Sequence, residues 1–216
     1  MLANEPQNRR SRERAQRSSE ILAAARRVFV ERGYARATMD DVARAAEFSK
    51  PTLYQYFENK DALFFSLTKP VVIELGAALD DAWARALAGT LRTGRELIAA
   101  LFGAMRRAYA VDAEGLRLLQ LVQQADLLGQ MSEGVQAELD RLARKNFQRG
   151  RQLLTWGMKK RLLVQQDPRP LLDVAWGSFV GVVGLEGIKQ RGRPSKDHLE
   201  RTLLLAESIF AAGVVK

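Results

Sequence analysis

Apolar positions recur at helical spacing along nearly the whole chain. Ile21, Ala25, Val28 and Phe29 fall at i, i+4, i+7 and i+8, the stripe of an amphipathic helix that begins at Ser18 or Ser19. Gly33 ends it as a left-handed residue, and Tyr34 follows where a hydrophobic contact closes a Schellman motif. Thr38 then precedes Met39, Asp40 and Asp41, an N-cap with acids beside the positive end of the helix dipole. Met39, Val42, Ala43 and Ala46 share one face of this second helix. It must stop near Glu47, because Ser49 caps a third helix with Pro51 in its first turn. The third helix spans about Lys50 to Phe57, and Asn59 caps a fourth that begins at Lys60.

From Lys60 onward the pattern reads as long helices, with no alternating Val/Ile/Thr run to suggest a strand. Breaks fall at Pro70, expected as a kink, at Gly89 to Gly94, Asp112, Gly129 to Ser132, Gln165 to Pro170 and Gly192 to Ser195. Asp167 caps one late helix and Ser195 the last. The fold class is therefore all-α. Residues 1–17 are polar, carry Arg9, Arg10, Arg12, Arg14 and Arg17, and read as a flexible basic arm, either a solvating tail or one that seeks phosphates. Residues 18–65 form a three-helix unit with helix-turn-helix spacing, and residues 66–216 form a larger helical bundle.

Charge narrows the choice of partner. Lys+Arg number 34 against 25 Asp+Glu, a formal net charge of +9, so polyanions are attracted, whether nucleic acid or anionic membrane. Arg dominates the basic set, and its planar fork grips phosphates and guanine edges, which leans toward nucleic acid. The N-terminus lacks the apolar core of a signal peptide, and no run of about 18 apolar residues is apparent, so a cytoplasmic protein that does not enter the membrane is expected.

An enzyme is the first alternative. One His (His198), no Cys and no phosphate-cradling glycine motif argue against it, and no catalytic residue, metal or cofactor is expected. A helical adaptor at a membrane surface is the second. It would set Lys and Arg opposite a bulky apolar face.

The third helix carries the chemistry. At 100° per residue, Leu53 and Phe57 point inward, and Pro51, Thr52, Tyr54 and Gln55 point out or flank. A solvated face carries Glu and Lys, whereas this one offers an amide that can read adenine, two hydroxyls and an apolar ring suited to a thymine methyl. The major groove admits such a helix N-terminus first.

The segment "TMDDVARAAEFSKPTLYQYFENKDALF", preceded by "ILAAARRVFVERGYARA", resembles the DNA-binding domain of the TetR family of bacterial transcriptional regulators. Ser49, Leu53, Tyr54, Phe57, Asn59 and Lys60 stand at the family's spacing. The resemblance implies operator contacts from Thr38, Ser49, Lys50, Pro51, Thr52, Tyr54, Gln55, Tyr56 and Lys60. Glu47 departs from it, since the family usually places Gly in this turn.

Helix-turn-helix proteins bind two-fold operators as dimers, and the segments around 170–189 and 196–212 are the candidate homodimer surface. There Trp176, Val180, Gly181 and Gly184 face a second stripe of Leu199, Leu203, Ala206, Ile209 and Phe210. By resemblance, two such helices from each subunit form a four-helix interface. The resemblance also implies a pocket for a small apolar or amphipathic effector, with Trp83, Phe102, Met105, Tyr109, Gln123, Trp156 and Trp176 as candidate lining, and Gln120, Gln124 and Asp126 as further polar groups. The implied function is a repressor released from a palindromic double-stranded DNA operator when the effector binds.

Overall fold

The computed structural model describes residues 5–189 and 196–216. Among them the chain forms α1 (Glu5–Arg32), α2 (Met39–Ala45), α3 (Lys50–Tyr54), α4 (Lys60–Leu87), α5 (Gly94–Val111), α6 (Ala113–Gln124), a 3₁₀ turn at Leu128–Gln130, α7 (Glu133–Lys159), α8 (Pro168–Lys189) and α9 (Lys196–Val214). One isolated antiparallel bridge pairs Leu163 with Val215. The Gly192 to Ser195 break and the Ser195 cap lie outside the described residues.

Two compact units result. Residues 1–69 and 118–139 make unit 1, and residues 70–117 and 140–216 make unit 2. The sequence division at residue 65 is linear; the structural one is not. The helix that starts at Lys60 runs unbroken through Pro70, and the second segment of unit 1 is brought in by tertiary contacts that no local pattern announces.

Unit 1 is built on the stripe read from the sequence. Ile21, Ala24, Ala25, Val28 and Phe29 of α1 are buried with Met39, Val42 and Ala43 of α2, Leu53 of α3, and Leu63, Phe64 and Leu67 of α4. Phe29, Tyr34 and Phe64 meet in edge-on and tilted pairs, with ring centroids 5.1 to 6.5 Å apart. Gly33, at φ 75°, ends α1 as expected, but its amide donates to the Phe29 carbonyl at 3.0 Å. That single bond is the αL motif, not the Schellman pair.

Two boundaries differ from the sequence reading. Helix α1 starts at Glu5, so residues 5–17 are helical, not a flexible arm. Apolar periodicity is absent there, yet Arg, Gln, Glu and Ala are strong helix formers, and the pairs Arg9–Glu13 (2.8 Å) and Gln16–Glu20 (2.8 Å) stitch successive turns. Helix α3 stops at Tyr54, three residues early. Tightened bonds follow, Gln55 N–H to the Thr52 carbonyl and Tyr56 N–H to the Leu53 carbonyl.

Unit 2 buries a continuous core from α4, α5, α7, α8 and α9, including Leu79, Leu97, Leu101, Phe102, Leu153, Leu154, Phe179 and Phe210. Close helix approach sets its geometry. A Cβ on Gly94 would lie 2.4 Å from the Leu162 carbonyl oxygen, so the first turn of α5 can abut that backbone only as glycine. Helix α4 has the length and apolarity of a membrane span, with a window of mean hydropathy 1.6, contrary to the expectation of no such stretch. Half of that window is buried within the protein, as in a core helix.

Candidate nucleic-acid interface

The turn between α2 and α3 is held from both ends. Thr38 and Asp41 form a reciprocal capping box: the Thr38 hydroxyl accepts from the Asp41 amide at 3.1 Å, and the Thr38 amide donates to the Asp41 carboxylate at 3.2 Å. Those bonds, first the Thr38 hydroxyl to the same carboxylate (2.8 Å), hold the Asp41 carboxyl below its ordinary range, and Arg32 and Arg44 add to the effect. Arg32 pairs with Asp41 at 2.7 Å, and Arg27 donates to the Ala45 carbonyl at 3.0 Å, fastening α1 to both ends of α2. Glu47 occupies the left-handed region at φ 58°. The chain has kept the backbone shape of the turn without the glycine.

Ser49 caps α3, accepting from the Thr52 amide at 3.3 Å, and its hydroxyl lies 2.8 Å from that of Thr52. Leu53 is fully buried beneath, while Tyr54 is 46% exposed and Lys50, Pro51 and Gln55 are exposed. Thr52 and Tyr56 are half-buried on the flanks. Lys50 pairs with Asp40 at 2.7 Å, and that carboxylate raises its pKa. The structure thus groups Thr38, Ser49, Lys50, Pro51, Thr52, Tyr54, Gln55 and Tyr56 on one protein unit around a short helix anchored by Leu53.

Lys60 departs from this pattern. Its ammonium donates to the Tyr34 carbonyl at 2.9 Å and sits 4.4 Å from the centre of the Tyr34 ring. Burial lowers its pKa, partly offset by Asp61. It braces the α1–α2 connection. Next to it the Tyr34 hydroxyl donates to the Asp61 carboxylate, and burial followed by that carboxylate raises the phenol pKa well above its ordinary value. The second Asp61 oxygen accepts from the Ser132 amide at 2.7 Å, tying the segment 118–139 into unit 1. Neither Asp61 nor Ser132 is conspicuous in sequence, and only Asp61's place in the first turn of α4 could have drawn attention to it.

Arg14, read from the sequence only as part of the basic arm, has a role that the sequence did not show. Its guanidinium donates to the Gln55 carbonyl at 3.2 Å and lies 5.0 Å from the centre of the Tyr56 ring. The cation thereby caps the C-terminal end of α3.

The residues expected to line an effector pocket divide. Phe102 and Met105 are core, and Trp83, Tyr109, Trp156 and Trp176 lie half-buried against it, whereas Gln123 is exposed. A groove of about 370 Å³ between α4 and α5, lined by Ala78, Asp81, Ala82, Arg85, Glu96, Gly103 and neighbours, includes none of the seven. Gln120 is buried, and its side-chain nitrogen has no hydrogen-bond partner.

The candidate dimer surface is corrected in register. Leu199, Leu203 and Phe210 point into the core of unit 2, because α9 packs that stripe against α5 and α8. Trp176, Val180, Gly184 and Ala206 are half-buried, and Gly181 is exposed. The outward stripe of α8 is Val174, Gly177, Gly181 and Leu185; that of α9 is Leu204, Leu205, Ile209 and Ala212.

Comparison with known proteins agrees with this geometry. The family model described as bacterial regulatory proteins, tetR family, matches residues 21–67, the span that builds the capped helices and their core. Residues 21–67 thus carry the likeness to the TetR family's DNA-binding domain. The HTH-type transcriptional activator FasR of Mycolicibacterium smegmatis is 34% identical over 106 residues, 49% of this chain and 46% of that one, so the chain spans about half the length of this relative. The ketosteroid transcriptional regulator KstR2 of Mycobacterium tuberculosis superposes with TM-score 0.74 at 18% identity, covering 93% of this chain and 95% of that one. A structure titled as the SmeT–triclosan complex gives TM-score 0.66 at 18% identity, covering 93% and 92%. The match to the family model over residues 21–67 is one of sequence, and the likeness to the solved structures is one of fold.

Proposed function

We propose that this chain is a ligand-responsive transcriptional regulator that binds a palindromic DNA operator as a homodimer, acts as a repressor, and is released by a small apolar or amphipathic effector. The observation that carries it is α3: with Leu53 buried, the exposed groups are Pro51, Tyr54 and Gln55 beside a flanking Thr52, a set suited to base edges and phosphates. The TetR-family domain supports DNA as the partner and a cytoplasmic setting.

The outward stripes of α8 and α9 support pairing. Val174 is 57% exposed, Leu205 59% and Ile209 65%, and a Cβ on Gly177, Gly181 or Gly184 would touch nothing, so another helix can approach. The neighbour seen with triclosan supports a small apolar effector, and the unpaired Gln120 amide is a candidate contact for it. Such an effector would act by population shift, weakening operator binding only to the extent that it prefers the state unable to match both half-sites.

The test is selection of duplexes from a randomised pool by the full chain. A recovered consensus with two-fold symmetry, bound more tightly than its scrambled version at fixed salt, is expected. Gln55→Ala should then relax preference at one base position, worth about 1 to 3 kcal/mol of discrimination. Equal affinity for selected and scrambled duplex would overturn the assignment.

A further inference from the structure

The buried stripe of α1 does not end where the core ends. Taking Ile21 as reference, Val28 lies within about 20° of it around the helix, and so do Arg10 and Arg14, with Arg17 about 40° away. The face that is apolar from Ile21 to Phe29 therefore continues toward the N-terminus as an arginine stripe. The flank of the same turns is different. Arg9 is paired with Glu13, and Gln16 with Glu20. Arg10 and Arg17 are exposed and make no ion pair among the described residues.

Arg14 fixes where this stripe points. Its contacts with the Gln55 carbonyl and the Tyr56 ring put the middle of the stripe against the C-terminal end of α3, the helix that offers Pro51, Tyr54 and Gln55. Arg10 and Arg17 flank that anchor by one turn on either side. From Arg10 to Arg17 the helix rises about 10 Å, and one DNA strand presents a phosphate about every 3.4 Å of axis. Arg10 and Arg17 lie open to solvent, so a partner outside the chain can reach both.

We infer that the N-terminal extension of α1 is a second DNA-binding element, in which Arg10 and Arg17 grip backbone phosphates beyond those reached by α3, with Arg14 holding the extension in register. The inference rests on the DNA-binding reading and adds a contact whose contribution is independent of base sequence. An anionic membrane would meet the same charges, but a membrane-seeking helix needs bulky apolar residues opposite them, and here that side carries Arg12, Ala15, Gln16 and Ser19.

The experiment measures affinity against salt concentration for the full chain on a duplex recovered by selection and on its scrambled version. Arg10→Ala/Arg17→Ala is compared with wild type and with a charge-matched control, Arg95→Ala/Lys159→Ala, placed on exposed positions of α5 and α7. Alanine preserves helicity, which circular dichroism verifies. Loss of two phosphate contacts reduces the slope of log K against log salt by about 1.8. It should do so on both duplexes, leave their affinity ratio unchanged, and be absent in the control. A slope equal to that of wild type, or one reduced equally by the control, overturns the inference while the wild-type preference for the selected duplex leaves the regulator reading standing. A wild type with no such preference overturns both.

Discussion

Glu47 shows how one residue can be read correctly against its type. A β-carbon in the left-handed region costs about 1 kcal/mol, and at φ 58° this residue bears that cost at the centre of the turn. Glu47→Gly should relieve it, offset in part by the greater freedom glycine gives the unfolded chain, for a net stabilisation of up to ~1 kcal/mol. Urea denaturation of the two forms checks this, with Glu47→Ala expected to remain at wild-type stability. The turn was legible because the caps on both sides, Thr38 and Ser49, allow only a few residues between α2 and α3. Lys60 was not legible in the same way. Its place at the start of α4 carried the expectation of a DNA contact, but whether a flexible side chain reaches outward or folds back on the Tyr34 carbonyl depends on a residue 26 positions earlier.

Capped elements carry a pH signature. Since the folded state depresses the pKa of Asp41, its contribution is complete above the ordinary carboxylate range and disappears as pH falls through the lowered value. Acid unfolding followed by circular dichroism should therefore show a limb that flattens in Asp41→Asn, because the variant has already lost the ionised partner. In unit 2 the sensitive element is the start of α5. Gly94→Ala drives a methyl into the Leu162 carbonyl, a backbone group that cannot rotate away. A loss of about 2 kcal/mol or more is expected from such overpacking, read by thermal or denaturant unfolding. Sequence predicted a helix after the Gly89 to Gly94 break, but it named the glycine as a breaker. Its second duty, admitting another segment's backbone, appears only in three dimensions. The same limit explains α1, where polar helical turns without an apolar stripe were indistinguishable from a flexible arm.

For the whole molecule the proposed homodimer rests on the open apolar face of α8 and α9. Leu205→Glu/Ile209→Glu should yield monomers by sedimentation, weakening self-association by at least ~30-fold if either residue is a central anchor. The same variant should lose the steep preference for a two-fold operator while keeping the thermal stability of the monomer core. An unchanged sedimentation coefficient would move the interface elsewhere. The sequence identified these two helices and included the exposed Gly181 and Ile209, but Leu199, Leu203 and Phe210 of its α9 stripe face inward, because large apolar residues occupy both sides of α9 and periodicity alone does not say which side faces the parent core.

The return of residues 118–139 into unit 1 bears on how the reader can be handled in isolation. A recombinant fragment cut at Lys69 contains the whole family motif, yet it strips the Ser132 amide from Asp61 and uncovers whatever the buried Val122, Met131 and Leu139 had shielded. Chimaeras that graft this motif onto a foreign sensor therefore need to carry that later stretch of chain along with it, or supply a substitute of matching shape.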